Sequence, residues 1–228
     1  MFSRTKVVVL TGAGVSAESG LPTFRDGNGL WNNVPVERVA TPAAWVENPS
    51  FVLAFYNKRR ADAAAAKPNA AHRAIALLES KFDVVVVTQN IDDLHERAGS
   101  TCVLHLHGEL CKARSSIDPT LIYDIGSALI NLGDRCPLGG QLRPQIVWFG
   151  EEVMRYDEAA EHVRDAAKVL VVGSSLSVFP AAGLLDEASS RTEKVVVNFE
   201  TVTLPYGFKL LRGKAGELVP GVVKQWLE

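Results

Sequence analysis

Continuous apolar runs dominate the hydropathy pattern. They fall at residues 7–10, 84–88, 169–172 and 195–197 and are rich in β-branched side chains. Runs of this kind fit strands covered on both faces, as in a parallel sheet. Stretches of helical character lie between them, at 72–80, 157–167 and 181–190. The alternation predicts an α/β fold, a Rossmann-like doubly wound parallel sheet. Ligands of such a sheet sit beyond the carboxyl ends of its strands. Those ends read Thr11-Gly12, Thr88-Gln89-Asn90, Gly173-Ser174-Ser175 and Asn198-Phe199-Glu200, so four turns are expected to line one crevice.

Two stretches break the alternation. Residues 28–69 read as a helical excursion, with Asn48-Pro49-Ser50 as a helix start and an Ala-rich stretch near 61–66. Residues 108–141 are loop-rich, with Pro119, Gly126, Gly133, Pro137, Gly139 and Gly140. Together they predict a small, discontinuous second part of a single 1–228 domain. The large part then takes about 1–27, 70–107 and 142–228.

Residues 12–26, GAGVSAESGLPTFRD, begin as a dinucleotide-binding turn. Glycines after a strand let backbone N–H groups approach a pyrophosphate, and a helix start adds favourable dipole charge. Gly20 and Pro22 then interrupt the helix after about two turns. Thr23-Phe24-Arg25-Asp26 follows, an aromatic ring and a cation near the phosphate site. The segment reads as a loop folded back over the reactive end of a dinucleotide. A hydride-transfer enzyme would carry an acid ending a second strand ~20 residues on, and no strand ends in that window. Taken alone, Gly12-x-Gly14-x-x-Ala17 is equally a tight strand-to-helix turn.

Composition narrows the classes. The chain has 228 residues, 47% hydrophobic and 22% charged, as in an ordinary globular protein. Its net charge of −2 implies no broad basic surface, so no nucleic-acid partner is expected. No apolar run approaches the ~20 residues of a membrane span. The first strand begins within a few residues of Met1, leaving no room for a signal peptide. Three cysteines, Cys102, Cys111 and Cys136, suit a reducing cytoplasm better than a disulfide scaffold.

Candidate chemistry clusters at two further places. Gln89, Asn90 and Asp92 follow a strand and are suited to reading a carboxamide and ribose hydroxyls, although Asn90 and Asp92 are also ordinary helix caps. His105 and His107 alternate, so in a strand they face the same way. A histidine before glycine, as in His107-Gly108, suits an exposed general base.

GAGVSAESGLPTFRD, TQNID, HLHG, LRPQIVWFGE, GSSLSVFPAAG and VVNFE, in this order and spacing, resemble the sirtuin family over nearly the whole chain. The resemblance is to its short bacterial members, and it implies an NAD-dependent protein-lysine deacylase acting on acyl-lysine proteins. By that resemblance Gly12, Ala13, Gly14 and Ser16 hold the phosphates. Phe24 and Arg25 close over the nicotinamide ribose, Gln89 binds that ribose, and Asn90 and Asp92 receive the carboxamide. Gly173, Ser174 and Ser175 meet phosphate and adenosine ribose. Asn198 and Glu200 take the adenosine end, and Ala215 belongs to the loop capping adenine. Val147, Trp148, Phe149 and Gly150 pair with the substrate backbone as an added strand. His107 is the catalytic base. The acyl oxygen attacks the ribose carbon as nicotinamide leaves, and His107 then deprotonates a ribose hydroxyl that removes the acyl group. The products are nicotinamide, O-acyl-ADP-ribose and free lysine, and NAD is consumed. A cytoplasmic monomer is expected.

Tyr56 and Arg59 share one helix face and resemble the acyl-pocket pair of class III sirtuins, which remove succinyl and malonyl groups. Arg59 would pair with a distal carboxylate, Tyr56 would donate a hydrogen bond, and Ala40 would leave the pocket roomy. Read without the resemblance, Lys58-Arg59-Arg60 is a solvated basic stretch. The expected activity covers acetyl and succinyl lysine.

The family usually holds a structural zinc with two cysteine pairs. Here the corresponding positions fall near Ser115, Asp118, Cys136 and Leu138, and Cys111 lies four residues early. Four thiolates at tetrahedral spacing are not available, so no metal is expected. Packing by Ile117, Leu121, Ile122, Leu129 and Leu132 is expected to offset it. Two alternatives stay open: an NAD-dependent protein ADP-ribosyltransferase and a non-enzymatic NAD-binding module.

Overall fold

The computed structural model describes residues 4–23, 30–31 and 34–228. Its strands are β1 (Lys6–Thr11), β2 (Leu30–Trp31), β3 (Val34–Pro35), β4 (Asp83–Thr88), β5 (Val103–His105), β6 (Gly108–Ser115), β7 (Ile122–Asp124), β8 (Leu142–Ile146), β9 (Lys168–Val172), β10 (Glu193–Asn198) and β11 (Lys209–Arg212). The helices are α1 (Gly14–Ala17), α2 (Pro42–Glu47), α3 (Pro49–Ala65), α4 (Ala70–Leu77), α5 (Leu94–Ala98), α6 (Tyr156–Arg164) and α7 (Ala215–Leu227).

Six strands form one sheet in the order β11-β10-β9-β1-β4-β5, and each neighbouring pair is parallel. Both faces are covered, which explains the unbroken apolar runs. Val7 and Val9 pack with Ile75, Leu78, Val219 and Val223 on one side. Val8 and Leu10 pack with Val163, Leu184 and Leu185 on the other. Each such side chain contributes about 1.5–3 kcal/mol when taken fully from water. Thr11 lies opposite Thr88 and Val172, so Gly12, Gln89 and Gly173 leave the sheet side by side. The chain passes from β1 to neighbours on both sides, which makes this the switch point where a doubly wound sheet opens a crevice.

Local departures from the expected elements are small. α1 is one turn; Gly20 then adopts φ 87° while its N–H donates to Ala17 O (3.0 Å). The segment 181–190 forms a 3₁₀ helix over Ala181–Glu187 in place of an α-helix.

The small part contains α2, α3, the β2–β3 pair and an antiparallel sheet in the order β7-β6-β8. Asn48 caps α3, accepting from Phe51 N–H (3.0 Å), with Pro49 in the first turn. β6 has few β-branched residues and is a strand through its pairing with β7 and β8. Because β8 belongs to this sheet, the small part reaches past the boundary at 141 drawn from sequence.

One expectation fails outright. Ile117, Ile122, Leu129 and Leu132 are exposed and do not form an offsetting core; three of them are about 60% exposed. The buried cluster here is Leu53, Ala113 and Ile130, with Trp45, Ile125 and Leu142 against it. Ser115 and Cys136 are also buried, against each other and outside that cluster. No described helix is long and apolar enough to cross a membrane.

Candidate active site

The turns beyond β1, β4, β9 and β10 converge on a cavity of ≈ 730 Å³. Gly12, Ala13, Gly14, Ser16, Thr23, Gln89, Asn90, Asp92, His107, Gly173, Ser174, Ser175, Asn198, Glu200 and Ala215 line it. Ala40, Tyr56, Arg59, Val147, Trp148, Phe149 and Gly150 line it from the small part and the segment after β8. Phe24 and Arg25 lie outside the described residues.

Two glycine turns meet beneath the cavity. Gly14 N–H donates to Gly173 O (2.9 Å), and a Cβ on Gly14 would come within 2.7 Å of Gly173 Cα. Gly173 has φ 63°, and a side chain there would overlap the backbone of Gly14 and Val15. Glycine is therefore needed on both turns for their mutual approach, whatever binds above them.

A buried polar chain forms one end of the floor. Asn90 Nδ2 donates to Ser16 Oγ (3.1 Å), and Ser16 Oγ donates to Asp92 Oδ2 (3.0 Å). Burial raises the Asp92 carboxyl pKa, while the Leu94 N–H and Ser16 bonds oppose the rise. Gln89 Nε2 donates to Ser174 Oγ (3.2 Å), joining the turns beyond β4 and β9.

The two alternating histidines have opposite electrostatics. His105 bonds Asn90 O (3.0 Å) through Nδ1 and Glu96 Oε1 (2.8 Å) through Nε2. Both partners only accept, so both ring nitrogens donate and the ring is an imidazolium. Burial works against that charge, but the Glu96 carboxylate outweighs it and the pKa is raised. Among the described residues, His107 bonds Gln89 O alone, through Nδ1 (3.0 Å). The proton of the neutral ring therefore sits on Nδ1 and leaves an Nε2 lone pair on a ring that lines the cavity. Burial lowers the His107 pKa below 6.5, and the Gln89 carbonyl only partly opposes this. The His107 ring is thus neutral, whereas His105 is a buried cation.

An aromatic pocket opens beside His107. Trp148 Nε1–H donates to the hydroxyl of fully buried Tyr56 (3.0 Å), leaving the Tyr56 proton free to donate. Arg59 is 6% exposed, and its Nη2 donates to Asp62 Oδ2 (2.6 Å). Arg59 Nε is buried without a hydrogen-bond partner among the described residues. Such an orphaned donor costs about 1–3 kcal/mol until a ligand satisfies it. The wall is fixed by Glu151, which accepts from Arg143 (2.7 Å), Arg114 (2.9 Å) and Trp148 N–H (2.8 Å). The Arg143 guanidinium also lies 3.3 Å above the Trp148 ring. Val147 N–H donates to His107 O and Phe149 N–H to Ala40 O, both at 2.9 Å. The N–H groups of Val147 and Phe149 are therefore already engaged within the chain.

Three supporting residues escaped the sequence reading. Asn69 donates to Val15 O (2.7 Å) and Ser19 Oγ (3.0 Å) and caps α4 in a reciprocal pair with His72. Its signal was Pro68-Asn69 three residues before His72, a capping-box spacing. Arg143 and Glu151 lie inside the LRPQIVWFGE block, and only their convergence in space shows their role.

Residues 12–180 match the Sir2 family. An NAD-dependent protein deacylase of Aggregatibacter actinomycetemcomitans is 52% identical over 192 residues, 84% of this chain and 91% of the relative. One from Vibrio vulnificus strain YJ016 is 41% identical over 233 residues, 99% of this chain and 95% of the relative. The solved structure of a Sir2 homologue–NAD complex superposes with a TM-score of 0.87 at 39% identity, covering 97% of this chain and 89% of the other. By these matches and by its fold, the chain belongs to the Sir2 family, the sirtuins.

Proposed function

We propose that the chain is an NAD-dependent protein-lysine deacylase in which His107 is the base and Tyr56 and Arg59 recognise the acyl group. The observation that carries this is His107: a neutral imidazole standing where the dinucleotide crevice meets the aromatic pocket.

The cavity fits NAD. The turns beyond β10 and β4 lie three strand spacings apart, about 14 Å, which suits a molecule with two ends. Hydroxyl and amide groups of Ser174, Ser175 and Gln89 lie along it, and the buried Asn90–Ser16–Asp92 chain offers a carboxamide both donors and acceptors. When bound, NAD supplies the ribose carbon attacked by the acyl oxygen and the hydroxyl that finally carries the acyl group away. His107 Nε2 takes the proton of that hydroxyl. The Gln89 carbonyl holds the ring in the required tautomer. Val147, Trp148, Phe149 and Gly150 present the substrate backbone beside His107. Replacing His107 by Ala tests this: nicotinamide release with acetyl-lysine peptide disappears while the melting temperature holds. Full turnover in that variant refutes the assignment, and an ADP-ribosylated protein product in place of O-acyl-ADP-ribose would favour a transferase.

The acyl range includes acidic groups. Arg59, buried in the pocket with an orphaned Nε, has unused donor capacity for a carboxylate. Tyr56 adds a second donor, and Ala40 keeps the entrance wide. Arg59→Met should lose desuccinylation and demalonylation far more than deacetylation; equal loss removes the pocket assignment.

The small part is built without zinc in this reading. Ser115 Oγ accepts from the N–H groups of Ile117 and Asp118, at 3.2 Å each, and lies 3.3 Å from Cys136 Sγ in a further hydrogen bond. A hydroxyl and one thiol are not the donor set of a structural zinc. Metal analysis of the purified protein decides this, and one zinc per chain contradicts it. Three free cysteines agree with a cytoplasmic setting.

A further inference from the structure

We propose that Asp62 sets the acyl preference of this enzyme by competing with an acidic acyl group for Arg59. The inference rests on the reading of Tyr56 and Arg59 as the acyl pocket, and it adds a residue outside that pair.

Asp62 lies one helical turn after Arg59 on α3. Its Oδ2 is 2.6 Å from Arg59 Nη2, and its Oδ1 is 2.5 Å from Lys58 Nζ. Its side chain is 26% exposed, against 7% for Arg59, so the Arg59–Asp62 pair is only partly screened. A carboxylate is gripped best by two N–H groups on one edge of a guanidinium. There are two such edges, Nε with Nη2 and Nη1 with Nη2, because the third is blocked by the side chain's own Cδ. Nη2 belongs to both edges, and Asp62 already engages it.

A succinyl or malonyl carboxylate entering the pocket therefore shares Nη2 with Asp62 or displaces it. Sharing brings two carboxylates onto one nitrogen, where like charges oppose each other. A neutral acetyl group meets no such conflict, and it sees an Arg59 whose charge is already largely balanced. Asp62 thus weakens binding of acidic acyl groups and leaves neutral ones untouched. Lys58 holds the other oxygen of Asp62.

The experiment compares Asp62→Asn, Asp62→Glu and Arg59→Met in the full chain, with matched acetyl- and succinyl-lysine peptides under saturating NAD. Asp62→Asn should lower KM for the succinyl peptide about threefold to tenfold, the scale of one partly exposed charged partner. Its kcat should hold, and both constants for the acetyl peptide should stay at wild-type values. Asp62→Glu, which keeps the charge, should restore the wild-type ratio. An unchanged succinyl KM in Asp62→Asn overturns the proposal. So does a raised one, which would make Asp62 a support for Arg59. If Arg59→Met is selective for succinyl while Asp62→Asn changes nothing, only the role of Asp62 falls. If Arg59→Met affects both peptides alike, the pocket reading falls and the proposal with it.

Discussion

Val9 and Ile117 are both β-branched aliphatic residues, yet Val9 is fully buried and Ile117 is 60% exposed. The contrast extends to the regions around them. In the large sheet, parallel ladders tie strands far apart in sequence, and helices cover both faces. In the small part, side chains do much of the tying. Asn57 exchanges two bonds with Ile130 (2.9 and 3.0 Å), Ser115 holds the 115–118 turn, and Gln141 donates to the carbonyl of Asn131 (2.9 Å) and accepts from Gly133 N–H (2.7 Å). Burial and ladders make the frame of the crevice, whereas discrete polar bonds shape the part that carries Tyr56 and Arg59. Stability is then unevenly spread, and the small part should open first.

The largest test falls on the frame's catalytic edge. His107→Ala should lower kcat/KM by about a hundredfold to ten-thousandfold, the usual range for a positioned general base, with the melting temperature held. His105→Asn should do the reverse: it removes a partly buried ion pair and lowers the melting temperature first. Similar profiles for the two variants would erase the distinction between base and structural cation.

Next comes the glycine contact. Gly173→Ala combines backbone overlap with a left-handed φ and should cost on the order of 3 kcal/mol, with NAD binding lost together with stability. Ser115→Ala should cost less, about 1–3 kcal/mol, through bonds confined to the small part. Hydrogen exchange should then quicken in residues 108–141 and stay slow in β1, β4 and β9. Equal quickening in the sheet would show that the two regions unfold as one.

pH provides the smallest test. His72 and His95 are buried side by side, with ring centroids 4.8 Å apart. Burial brings His72 down to about 4 and His95 well below its ordinary 6.5. The unfolded chain therefore binds protons that the folded chain refuses, and these residues make stability fall as pH drops below 6.5. For His72 the loss stops growing below about 4. His105 has the opposite sign: its raised pKa adds stability below 6.5 that is lost as pH rises through its folded value. Melting temperatures across this range should decline towards acid, and less steeply in His72→Asn. The acid limb of kcat/KM should have its midpoint below 6.5, because burial lowers His107.

The sheet was legible because fully covered parallel strands leave an unmistakable record: 84–88 and 169–172 have almost no polar interruption. The four crevice turns followed from strand ends alone. β6 was not legible, since GELCKARS has little strand propensity and depends on β7 and β8 for its pairing. Nor was the exposure of Leu129 and Leu132, because hydropathy does not say whether another layer exists to cover a residue.

Sequence alone determined the strand-end turns, the family, and the residue types that line the cavity, since these depend on local chemistry and order along the chain. Sequence already set His107 apart from His105 by its place before Gly108; only the tertiary structure decided their charge states. The difference lies in the partners of each ring: the carboxylate of Glu96 keeps His105 charged, whereas His107, partly buried, bonds the carbonyl of Gln89. The tertiary structure likewise decided that Asp62 stands on Arg59, since an i,i+3 spacing allows the contact but side-chain rotamers settle whether it forms.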